Sequence, residues 1–87
     1  MAEFDLLEGW LEALRGELDL TGLEGPDVAQ LLAAVRSIAH TVSHPAGPVA
    51  AFAAGYAAAR GGGSAMVVAD AIERTVRLAQ NFEAEDV

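Results

Sequence analysis

The sequence predicts an all-α protein, a compact antiparallel four-helix bundle. Apolar residues recur at helical spacings of three and four in four separate stretches, and no stretch alternates with the period of two that a half-buried strand needs. Short connectors bearing Gly or Pro separate these stretches. Nineteen of the 87 residues are alanine, the best helix former, which buries little area and lets helices pack closely through small side chains. A chain of this length is expected to form one domain, residues 1–87.

The first helix is expected over about 4–19, because Phe4, Leu7, Leu11, Leu14 and Leu18 follow one another at three and four residues. Asp5 and Glu8 stand three apart and can act as a capping pair. Leu6 and Trp10 widen the apolar face, and Trp10 is expected to be a core or half-buried packing residue. After a connector holding Gly22 and Gly25, Pro26 suits the first turn of a second helix, about 26–44, with an apolar stripe running from Val28 through Leu31, Val35 and Ile38 to Val42. Pro45 disfavours helical geometry at His44 and should end that helix.

Pro45-Ala46-Gly47-Pro48 forms the corner to a third helix, about 47–60, which has no charge before Arg60. A helix apolar all round is normally buried. It is expected either to be surrounded by the other three or to have its outer face covered by a second copy. Phe52 and Tyr56 read as core, with the Tyr hydroxyl reaching the surface. Gly61-Gly62-Gly63 should stop the third helix and Ser64 cap the fourth, about 65–82. Val68, Ile72, Val76 and Ala79 make one stripe of that helix, and Val67, Ala71, Leu78 and Phe82 a second. Glu83 to Val87 read as a frayed acidic tail.

The net charge is −8, and all five basic residues are scattered arginines, which argues against nucleic acid and against anionic lipid as partners. No apolar run is long enough for a bilayer span, the start lacks the pattern of a secretory signal, and the cytoplasm is the expected location. With no cysteine there are no disulfides and no thiolate chemistry.

No catalytic pattern stands in the chain, and it reads as a non-enzyme. Gly61-Gly62-Gly63-Ser64 lacks the lysine of a phosphate-binding loop, and the serines have no local base. His40 and His44 have the one-turn spacing of a zinc pair but no third ligand, so no metal and no cofactor are expected. The same corner could instead receive an anion. Arg36, His40 and His44 stand at i, i+4 and i+8, and the third helix begins near Pro48, where free N–H groups and the positive end of the dipole point outward. Arg36, His40, His44, Pro48 and Tyr56 are therefore the candidate ligand-binding residues.

Leu7, Trp10 and Leu11, then Ala39, His40, Val42, His44, Pro45, Ala46 and Pro48, then Phe52, Gly55, Tyr56, Ala57 and Ala58 follow an order that resembles the DUF6457 family, a small uncharacterised actinobacterial domain. The resemblance covers nearly the whole chain. It implies an association with molybdenum-cofactor biosynthesis, since such domains occur alone or attached to molybdopterin guanylyltransferases. The glycine-rich nucleotide-binding segment of the transferase is absent, so the resemblance implies an accessory or docking piece with that enzyme as its protein partner. A homodimer is compatible with every one of these readings.

Overall fold

A computed structural model describes the backbone over residues 3–20 and 25–85 and the side chains over 5–20 and 25–82. It is an all-α helical bundle: α1 spans Glu3–Leu18, α2 Val28–Thr41, α3 Ala46–Arg60 and α4 Ala65–Glu85. Among the described residues there is no strand.

Helix ends follow local chemistry, and some fall elsewhere than expected. Asp5 lies inside the first turn of α1 and is not its cap. The far end of α1 closes where Leu20 N–H donates to the Arg15 carbonyl at 3.0 Å and Asp19 takes a positive φ of 53°, the left-handed conformation Asp tolerates better than most residues. In α2 the cap is Asp27, whose carboxylate accepts from Gln30 N–H at 3.2 Å. Pro26 therefore precedes the helix instead of opening its first turn. That helix ends at Thr41, three residues short of the expected end, with the last bond running from Val42 N–H to the Ile38 carbonyl. Pro45 does more than end it: the whole segment from Ser43 to Pro45 becomes corner.

The end of α3 is a Schellman turn. Gly63 N–H reaches back to the Ala58 carbonyl at 2.8 Å and Gly62 N–H to that of Ala59 at 3.2 Å, with Gly62 at φ 103°. Ser64 then caps α4 as its position predicts, its hydroxyl accepting from Val67 N–H at 3.2 Å. The fourth helix continues past the expected residue 82 to Glu85, so the first half of the acidic tail is helical. The remainder of that tail, and Gly22 of the first connector, lie outside the described residues.

The three helices α2, α3 and α4 each pack against the other two, and among the described residues the backbone of α1 makes no such close approach to them. Their core is made of Ala34, Ile38, Ala54, Ala58, Val68, Ile72 and Ala79. The stripe of α4 predicted from spacing, Val68 to Ala79, supplies three of these. Small residues set the helix separation. Gly47, buried in the first turn of α3, sits so close to α2 that a Cβ there would lie 2.7 Å from the Val35 carbonyl oxygen and 2.9 Å from its Cγ1. Only glycine permits that approach. A polar tie crosses the bundle from Gln30 Nε2 on α2, which donates to the Ala69 carbonyl on α4 at 3.3 Å. A cavity of about 70 Å³ remains where Pro26, Leu31, Ala58 and Ile72 meet at one end of the bundle.

Candidate docking surface

Helical geometry assigns opposite jobs to the two sides of α3. At 100° per residue Gly47, Ala54 and Ala58 fall within about 40°, and Val49, Phe52 and Tyr56 fall within about 60° on the opposite side. The first set is buried. The second is exposed, Phe52 to 77% and Tyr56 to 62%. Both expectations for α3 are thereby corrected: the other helices do not surround it, and Phe52 and Tyr56 are not core. Alanine explains this. The inner face is already filled by methyl groups and a glycine, so the larger side chains have no cavity to enter and point outward.

The outer ridge is apolar from end to end, because residues 46–59 contain no charged side chain. Its polar boundary is Arg60, whose guanidinium carbon lies 5.9 Å from the Tyr56 ring centroid, within cation–π range. An apolar centre with Phe and Tyr and a cationic edge is the composition that protein interfaces favour. Apolar exposure continues on α4, where Leu78 and Phe82, half of the second stripe, are also exposed. Trp10 is 59% exposed, contrary to its expected core or half-buried place, while Leu7, Leu11 and Leu14 of the same helix are half-buried. Spacing holds the signal for the ridge: Val49, Phe52 and Tyr56 recur at i, i+3 and i+7.

The expected ligand corner is open and differently built. Arg36 and His40 lie one turn apart on the exposed side of α2. His44 does not continue their line, because α2 ends at Thr41 and His44 sits exposed in the corner. Pro48 is in the first turn of α3, and Tyr56 lies eight residues further along that helix, about 12 Å by helical rise. The five candidates therefore do not form one site.

The N–H groups that an anion would need are already engaged. Ala46 N–H donates to the Ser43 carbonyl at 3.1 Å, Gly47 N–H to that of His44 at 3.4 Å and Val49 N–H to that of Pro45 at 3.4 Å. Pro48 has no N–H to offer. The corner hydrogen-bonds itself, and the positive end of α3 presents no free donors in its first turn.

Among the described residues no group of three or more His, Asp or Glu comes together as a metal site, and no helix is long and apolar enough to cross a membrane. The ion pairs Asp70–Arg74 and Glu73–Arg77, both at 3.9 Å and well exposed, are surface pairs of small energetic weight.

No curated protein and no solved structure gave a match to the chain. A family model, described as a domain of unknown function, matches residues 2–87, and with the motif order of α1 to α3 it shows that the chain belongs to the DUF6457 family.

Proposed function

We propose that this chain is a non-catalytic helical docking module whose partner protein binds the outer ridge of α3. The single observation behind this reading is the exposure of Val49, Phe52 and Tyr56 on a face that carries no charge. Leaving two aromatic side chains in water forgoes roughly 1.5–3 kcal/mol of burial apiece, and a protein surface recovers that on docking. Phe52 and Tyr56 are the anchors, Val49 fills between them, and Arg60 orients the partner from the edge. Our proposed partner is a protein of molybdenum-cofactor assembly, with molybdopterin guanylyltransferase the member that the family resemblance implies. The alternative of a small-ligand or anion site at His40 and His44 has less behind it, since the nearby N–H donors are spent.

Calorimetric titration of the full chain into purified molybdopterin guanylyltransferase tests this. Saturable binding is expected, with Phe52→Ser raising Kd by roughly tenfold or more, as loss of an aromatic anchor does. Unchanged affinity in Phe52→Ser would remove the ridge from the interface, and no binding by the parent chain would remove the enzyme as partner.

A further inference from the structure

Beside the large pair Phe52 and Tyr56, the outer side of α3 carries a small pair at the same spacing of four, Ala51 and Gly55. Gly55 is exposed and Ala51 half-buried. A glycine in the middle of a helix is destabilising relative to alanine. Packing within the chain does not require one here, because among the described residues a Cβ on Gly55 would meet no atom within 4 Å. Open space next to an exposed phenylalanine is room for something that approaches α3 from outside. Ala51 and Gly55 also border the apolar cavity of about 70 Å³.

The element that fits these two rows is α3 itself. Helices pack when the i±4 ridges of one enter the grooves of the other. If a second α3 crosses the first in the antiparallel sense, with Phe52 over Gly55 of the second copy, the same register sets Tyr56 over its Ala51. A two-fold axis then repeats both contacts from the other side. Residues 46–59 carry no charge, so on a chain of net −8 this is a face where two copies meet without bringing carboxylates together. The antiparallel sense also holds the two Arg60 side chains about 20 Å apart along the helix, well beyond the ~8 Å screening length of physiological salt. A parallel pair would set them side by side.

We infer that the outer face of α3 pairs with the same face of a second copy, antiparallel and two-fold, and that this pairing covers the ridge when no other protein does. The inference rests on the ridge being a recognition face, as proposed above, and adds an occupant for it; an enzyme that docks there takes the second copy's place. Such a contact closes on itself and leaves no open end. At their exposures Phe52 and Tyr56 each offer on the order of 100–200 Å². With Val49, Ala59 and the small row, about 500–600 Å² per copy is in reach, and the total of ~1,000–1,200 Å² is the low end of specific interfaces. The dimer is therefore a weak one, with a dissociation constant on the order of micromolar, as suits a face that also receives another protein.

Light scattering on the full chain, from about 1 μM to about 1 mM, should show the mass rising from the 9.0 kDa of one chain toward twice that value. Gly55→Leu fills space that is open in its own chain. It should raise the dimer dissociation constant by roughly tenfold or more, while helix content is kept and the unfolding temperature does not fall. A role of Gly55 in the fold alone would not move self-association. Phe52→Ser should weaken the dimer by a similar factor. The parent chain supplies a test that needs no variant. In a mixture of isotope-labelled and unlabelled chains, NMR should show contacts between the Tyr56 ring of one copy and the Ala51 methyl of another, groups that stand about 140° apart around the helix within one chain. A monomer at every concentration overturns the inference, and so does a dimer that either variant leaves intact or that lacks those contacts. The docking reading fails on a different result, the absence of saturable binding to the guanylyltransferase.

Discussion

On the inner face of α3 stand Gly47, Ala54 and Ala58, all buried, and on the outer face stand Val49, Phe52 and Tyr56, all exposed. Ordinary globular domains put the large residues inside. Here the small ones are inside because the helices approach until backbone nearly meets backbone, as Gly47 does with Val35. The core as a whole shows the same inversion. Four of its seven members are alanines, and among the described residues no large side chain is fully buried, while Trp10, Phe52, Tyr56, Met66, Leu78 and Phe82 stay outside. Bulk on the outer face thus contributes little to folding, and the use we propose for it is recognition.

Substitutions on the two faces should separate stability from binding. The largest loss of stability is expected for Ile72→Ala, about 3–4 kcal/mol, because Ile72 is 3% exposed and already borders the cavity at the bundle end, which would enlarge. Urea unfolding followed by circular dichroism measures it, and in a domain this small that loss is a large share of the total. Gly47→Ala should cost about 2–3 kcal/mol in the same assay, since its Cβ must displace the Val35 backbone. Next comes Gly62→Ala, at about 1 kcal/mol, from the positive φ of the Schellman turn alone, as nothing lies within 4 Å of the added methyl. Smallest is Phe52→Ser, expected to stay within about 0.5 kcal/mol of the parent. A loss of several kcal/mol there would mean that Phe52 supports the fold, and the contrast between the faces would collapse.

Much of the fold was legible in the sequence because the signals are local. The capping role of Ser64, the glycine stop after Arg60 and the Val68–Ala79 stripe each depend on residues a few positions apart, and each stands as spacing predicts. Two kinds of statement were less accessible. The first concerns helix ends at prolines: Pro26 and Pro45 marked boundaries to within a few residues, but whether such a proline lies inside or before a helix depends on competing caps, and Asp27 won at α2. The second concerns which apolar face turns inward. An uncharged helix such as α3 has no polar side to point outward, so periodicity alone could not tell that Ala54 is buried and Phe52 is not. Trp10 is a different case: it lies at the margin of the apolar face of the charged helix α1, where spacing does not fix how far the ring is covered, and it is 59% exposed instead of core or half-buried. At the His40/His44 corner the residues were readable, but the backbone bonds that consume the donors of α3 were not, because they arise from the turn geometry of Ser43, His44 and Pro45.

The proposed division of α3 into a structural face and a recognition face is tested most directly by an amide-resolved NMR titration of the isotope-labelled chain with purified molybdopterin guanylyltransferase. The predicted result is a set of shifts centred on Val49, Phe52 and Tyr56, with smaller ones at Arg60 and none at the Ile38, Val68 and Ile72 core. Shifts confined to His40 and His44 with the ridge unmoved, or none anywhere, would contradict it.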